Sequence, residues 1–189
     1  MRNWIAMFSH TGSEIVNISK IIGKKPAKVI TNQKPNSKNI HPDIKTFPNV
    51  VYTKSNPTSA DYDYLFEDTE HALISLHGWM RIIPGDVCKD YEIWNLHPGL
   101  ISEYPELKGK DPQRRVFENN ETTGGGTKEY DKVGCVIHKA VAEVDAGSIF
   151  MERSTRNNYS GQADLEAGLH GMASDMWVDF LNHKLYFHK

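Results

Sequence analysis

Cysteine is scarce in this chain, with only Cys88 and Cys135 present. They stand far apart, offering neither a disulfide framework nor the paired spacing of a zinc site, so a reduced, cytoplasmic setting without a metal is expected. Long apolar runs are missing too. None approaches the roughly 18 residues that cross a bilayer, and no signal-like segment precedes the apolar run at Trp4, so no membrane role is expected. Basic runs are limited to the isolated pairs Lys24-Lys25 and Arg114-Arg115. With a net charge of −2, the chain carries no electrostatic footprint for nucleic acid. The glycine-rich dinucleotide fingerprint is absent, which argues against NAD or FAD. Gly124-Gly125-Gly126 lacks the strand before and helix after that a phosphate loop needs. Three glycines in a row resist a single conformation, so the stretch from Asn119 to Lys132 reads as a mobile surface excursion. No internal repeat is visible, and the oligomeric state is left open.

What is present fits a globular enzyme-sized unit. The chain has 189 residues, 39% hydrophobic and 24% charged, which suits one domain over 1–189 with a sizeable core. Trp4 to Phe8 is a continuous apolar run of strand length, suited to a sheet buried on both faces. Small residues, Ser9 to Ser13, break it. Ile15, Ile18, Ile21 and Ile22 then recur at helical spacing until Gly23 stops the helix. The amides at such a helix start can bind phosphate, while the plainer reading makes Ser13 an N-cap.

Further strands are expected at Ala27 to Ile30, Val50 to Tyr52 and Ala72 to Leu76, with a helix over Thr58 to Glu67 between the last two. The polar stretch from Thr31 to Pro48 reads as a loop. Asp111-Pro112 can open another helix, and two strands, Val133 to Val141 and Ser148 to Glu152, flank a turn. From Gln162 on, Leu165, Leu169, Met172, Met176, Trp177, Phe180 and Leu181 mark a long amphipathic helix. Lys184 to Phe187 reads as a closing strand or edge segment. Alternating strands and helices predict an α/β, Rossmann-like, mostly parallel sheet with helices on both faces.

The chemistry centres on Trp94-Asn95-Leu96-His97-Pro98-Gly99. Ile93-Trp94 ends a short strand and Pro98-Gly99 turns the chain, so Asn95 and His97, two apart, project side by side. An amide donor and a titratable imidazole then sit at a strand terminus, where open α/β sheets place their sites. In a second sharp turn, Val144-Asp145-Ala146-Gly147, a carboxylate stands seven residues after His138.

These segments resemble the folate-dependent formyltransferases, the glycinamide ribonucleotide transformylases above all. The resemblance rests on Asn95-Leu96-His97-Pro98, Gly134-Cys135-Val136-Ile137-His138, Asp145-Ala146-Gly147, the stretch Gly78-Trp79-Met80-Arg81-Ile82-Ile83, and Thr11-Gly12-Ser13. It runs in order from about residue 3 to 150. It implies the formyltransferase fold and transfer of a formyl group from 10-formyltetrahydrofolate to a primary amine of a small, phosphorylated acceptor.

By that resemblance Asn95, His97 and Asp145 are catalytic. Trp79, Met80, Arg81, Ile82 and Ile83, with Val141, Ala142, Glu143 and Val144, hold the folate. Thr11, Gly12 and Ser13, helped by Lys110, hold the acceptor. His138 braces the site. Departures fall on the acceptor side: Glu14 stands where Asn is usual, and Glu106 to Pro112 replaces a histidine-containing stretch. Amino-sugar nucleotides or other amino-nucleotides are therefore alternative acceptors. A formyl-folate hydrolase and a non-catalytic binding protein are the alternative activities.

Overall fold

The first strand decides the architecture. In the computed structural model, which describes residues 2–67, 69, 71–122 and 130–186, β1 (Trp4–Phe8) is buried along its whole length. Its side chains alternate between two separate cores. Trp4, Ala6 and Phe8 join one cluster, with residues of α1 (Ser13–Ile22), α4 (Pro112–Thr122) and α5 (Gln162–Tyr186). Ile5 and Met7 join the other, with α2 (Ser59–Phe66) and α3 (Gly85–Asp90). A strand covered on both faces has no place for polar side chains, which is why it reads as an unbroken apolar run.

One sheet of seven strands carries these layers, in the order β3-β2-β1-β4-β5-β6-β7. The remaining strands are β2 (Lys28–Thr31), β3 (Val50–Tyr52), β4 (Leu73–His77), β5 (Ile93–His97), β6 (Lys132–Lys139) and β7 (Ile149–Arg156). The first five are parallel; β6 and then β7 add antiparallel. The chain order reverses between β1 and β4, where Phe8 pairs with His77. The loops leaving these two strands therefore start side by side: the Ser9 amide donates to the Gly78 carbonyl at 3.3 Å and the Met80 amide to Ser9 Oγ at 2.9 Å. Such a reversal opens a crevice at the carboxyl ends of the strands.

Three local expectations change. Lys184 to Tyr186 continue α5 instead of forming a strand, while Phe187 lies outside the described residues. Leu181 and Leu185 are both buried and four residues apart, and no Gly or Pro interrupts them, so the helical period simply carries on. Lys184 stays with it by laying its ammonium 4.7 Å from the Trp94 and Phe150 ring centroids. The loop from Thr31 to Pro48 contains a 3₁₀ turn, Pro42–Thr46, whose buried Ile44 packs beneath Gly12. Gly12, at φ 73, and not Ser13, caps α1, while Gly23 ends that helix as expected. The triple glycine Gly124–Gly126 lies outside the described residues.

Candidate active site

Sheet register assembles the site. Asn95 on β5 stands directly opposite His138 on β6, and His97 follows on the same face two residues later. The hairpin after β6 then brings back Asp145, held at φ 50 in the left-handed region that Asp and Asn tolerate better than most residues. Its neighbour Gly147 lies against the backbone: a Cβ there would sit 1.7 Å from the Lys139 carbonyl oxygen. The glycine is what lets the turn fold onto the strand end.

Asp145 is the hub. Its Oδ2 lies 3.1 Å from His97 Nδ1 and accepts from the Gly109 amide at 2.9 Å. Its Oδ1 lies 3.2 Å from His138 Nε2 and 3.4 Å from Asn95 Nδ2. The side chain is only 9% exposed. Burial pushes this carboxyl up, but the hydrogen bonds from His138 and His97, the charge of His97 and the Gly109 amide outweigh it. The group is held well below the usual carboxylate range.

Both histidines carry a second contact that restricts their protons. His97 Nε2 faces the Leu107 carbonyl at 2.9 Å, and His138 Nδ1 faces that of Lys139 at 3.1 Å. A carbonyl only accepts, so each ring meets both its carbonyl and Asp145 only when both nitrogens carry protons. His138 has an alternative, accepting at Nε2 from Asn95 Nδ2 at 3.3 Å. His97 has none. Leu107 is in turn fixed by Arg115, whose guanidinium donates to the carbonyls of Glu106, Leu107 and Lys108. In the sequence Arg115 is only half of an isolated basic pair, and its bracing role leaves no trace there because the loop it grips is irregular and has no period.

Two cavities meet beside this cluster, at Leu96 and Pro98. The larger, about 610 Å³, is lined by Asn95, His97, His138 and Asp145 on one side and by Trp79 to Ile83, Val141 and Val144 on the other. Met80 and Ile82 are 52% and 73% exposed, although both are large and apolar. Trp79 and Ile83 are buried and belong equally to the core. The Arg81 guanidinium donates to the Ser55 and Met80 carbonyls and makes no ion pair there among the described residues. Ala142 and Glu143 are not among the lining residues, whereas Lys110 is. Ala142 instead packs against Gly85, where a Cβ would come within 2.7 Å of its own.

The smaller cavity, about 270 Å³, lies at the start of α1, lined by Thr11, Gly12, Ser13 and Glu14 together with His77, Glu166 and His170. Leu76, Gly78, Leu96, Pro98 and Gln113 line both cavities, so the two are continuous. The structure thus brings the three expected catalytic residues together between the expected donor and acceptor segments. Lys110 falls on the donor side, away from Thr11 to Ser13. Among the described residues no cluster of His, Cys, Asp or Glu is arranged to hold a metal ion, and no helix is long and apolar enough to cross a membrane.

Known proteins resemble this chain in sequence and in fold. The family model described as "Formyl transferase" matches residues 4–160. A trifunctional purine biosynthetic protein adenosine-3 from Gallus gallus is 34% identical over 94 residues, covering 49% of this chain and 8% of that protein. A phosphoribosylglycinamide formyltransferase from Dictyostelium discoideum is 32% identical over 88 residues, covering 43% of this chain and 39% of that protein. The chain therefore matches well under half the length of these curated relatives. Among solved structures, a phosphoribosylglycinamide formyltransferase from Streptococcus pneumoniae TIGR4 superposes with a TM-score of 0.74 over 100% of both chains at 19% identity, which shows a shared fold. With the family model covering most of its length, the chain belongs to the formyl transferase family.

Proposed function

We propose that this chain, as a single catalytic domain over 1–189, transfers a formyl group from 10-formyltetrahydrofolate to a primary amine of a small acceptor. The amine is of the kind glycinamide ribonucleotide offers. One observation carries the reading: the closed Asn95, His97, His138 and Asp145 cluster lines an apolar cavity beside its junction, at Leu96 and Pro98, with a second cavity that holds Thr11, Ser13 and Glu14. The apolar cavity fits a flat heteroaromatic ring, because Met80, Ile82, Val141 and Val144 present bare apolar surface at its wall. Two free, buried cysteines support a reducing, cytoplasmic setting.

The donor molecule supplies an activated formyl carbon. The residues do the rest. Asn95 Nδ2 makes only long contacts, 3.3 and 3.4 Å, so its protons are available to an oxygen that gains charge as the amine adds. His97, held at Nδ1 by Asp145, can turn its Nε2 proton from the Leu107 carbonyl to the same oxygen or pass it to the departing nitrogen. The carboxylate of Asp145, too weak a base to keep a proton while its histidines hold it, receives the amine's proton only in passing, directly or through water, and relays it towards the departing nitrogen. Atoms balance without a covalent enzyme intermediate: a C–N bond forms to the amine, the old C–N bond breaks, and one proton moves between the two nitrogens.

The test is release of tetrahydrofolate with and without a panel of added amines. Turnover that requires an amine, and that falls at least about a hundred-fold in Asn95→Ala and His97→Ala, supports the reading. Turnover without an amine would assign a hydrolase instead. Near wild-type turnover in either variant would remove that residue from the mechanism.

A further inference from the structure

Glu14 and His77 form a polar constellation outside the catalytic cluster, and its hydrogen bonds have a direction. Trp4 Nε1, which can only donate, lies 2.7 Å from Ser75 Oγ. Ser75 therefore accepts there and has one proton of its own to place. His77 Nε2 is 2.8 Å away, closer than the Ile5 carbonyl at 3.4 Å, so that proton goes to His77. With Nε2 accepting, His77 carries its proton on Nδ1 and donates it to Glu14 Oε2 at 2.8 Å. The whole chain points at Glu14. His77 is buried beneath it, its side chain 1% exposed, and the Trp177 ring centroid lies 4.7 Å from its own.

This buried relay fixes Glu14 as an acceptor, with Oε1 left without a protein partner among the described residues. Glu14 lines the smaller cavity, whose other ionisable lining groups are His10, His77, Glu166 and His170. No Lys or Arg lines it among the described residues, and the Ser13 amide at the helix start is already bonded to Thr11 Oγ1 at 3.2 Å. A phosphate there would face two carboxylates with no lysine or arginine to offset its charge.

We propose that Glu14, positioned by His77, selects the acceptor by accepting hydrogen bonds from its hydroxyl or ammonium groups, so that the part of the acceptor seated at the start of α1 is unphosphorylated. The inference rests on the formyl-transfer reading for the identity of the cavity, but its test is a binding measurement that needs no turnover.

Calorimetric affinities of glycinamide riboside and glycinamide ribonucleotide are compared for the wild type, for Glu14→Gln and for His77→Phe, with inorganic phosphate as competitor. Glu14→Gln keeps the shape and an oxygen for His77 while replacing one acceptor with a donor. The wild type is expected to favour the riboside by about ten-fold or more, the size of one hydrogen bond to a charged group. Glu14→Gln is expected to abolish or reverse that ratio. His77→Phe should shift it the same way, whereas mere loosening would weaken both ligands alike. The inference is overturned if the ribonucleotide binds as tightly, if inorganic phosphate competes, if neither ligand binds, or if Glu14→Gln leaves the ratio unchanged. Amine-dependent release of tetrahydrofolate reports separately on formyl transfer and survives any of these outcomes.

Discussion

Replacing Asp145 by Asn and by Ala separates what its charge does from what its backbone does. The carboxylate takes contacts from His97, His138, Asn95 and the Gly109 amide. A carboxamide of the same shape has one accepting oxygen, so either His97 and the Gly109 amide, or His138 and Asn95, must face its NH₂. Leaving one such donor unsatisfied in a site this buried costs about 1–3 kcal/mol, towards the upper end because the lost partner is charged. Asn carries no added backbone penalty at φ 50, since it tolerates the left-handed region. Ala loses every contact and is also strained there, by about 1–2 kcal/mol more. Both variants lack the carboxylate that receives the amine's proton, so both should lose at least about a hundred-fold in turnover.

Urea unfolding and tetrahydrofolate release at saturating amine measure the two effects. Stability should fall in the order wild type, Asp145→Asn, Asp145→Ala, with turnover equally low in both variants. The linkage has a definite sign. The folded-state value is depressed, so the stability Asp145 contributes is complete above the unfolded carboxyl's value, about 3.9, and is lost as pH falls through the folded one. The gap between wild type and Asp145→Asn should therefore shrink in acid and stay constant above about pH 5. Turnover retained within about ten-fold in Asp145→Asn would refute the proton-acceptor role. Equal stability of the two variants would refute the backbone argument.

Two further outcomes follow from the same geometry. Folate analogues should protect the amides of 78–83 and 141–145 from hydrogen exchange, because these segments wall the larger cavity; protection confined to 11–13 would place the folate elsewhere. Gly134→Ala should destabilise the fold by about 1–3 kcal/mol or more, because its Cβ would meet the Arg153 carbonyl oxygen at 2.1 Å and push β7 off β6. Unfolding midpoints equal to the wild type would show that the strand pair accommodates it.

Much of this molecule is decided by local pattern. The apolar run Trp4 to Phe8, the helical spacing from Ile15 to Ile22 and the stripe from Leu165 to Leu181 each determine their own element, because burial on one or two faces imposes a period. The alternation of these elements is enough to imply the parallel sheet. Asn95 and His97 are two apart on a strand, so their common face is also a local fact.

What the sequence leaves undetermined is register and closure. That Asn95 faces His138 depends on how β5 and β6 slide past one another, a choice made by the packing of both strands. The Leu107 carbonyl on His97 and the Gly109 amide on Asp145 come from main-chain atoms, which every residue possesses and no side-chain pattern reveals. Ser75, His77 and Trp4 likewise look like ordinary core positions until β1 and β4 lie side by side. Only then do their donors and acceptors line up towards Glu14.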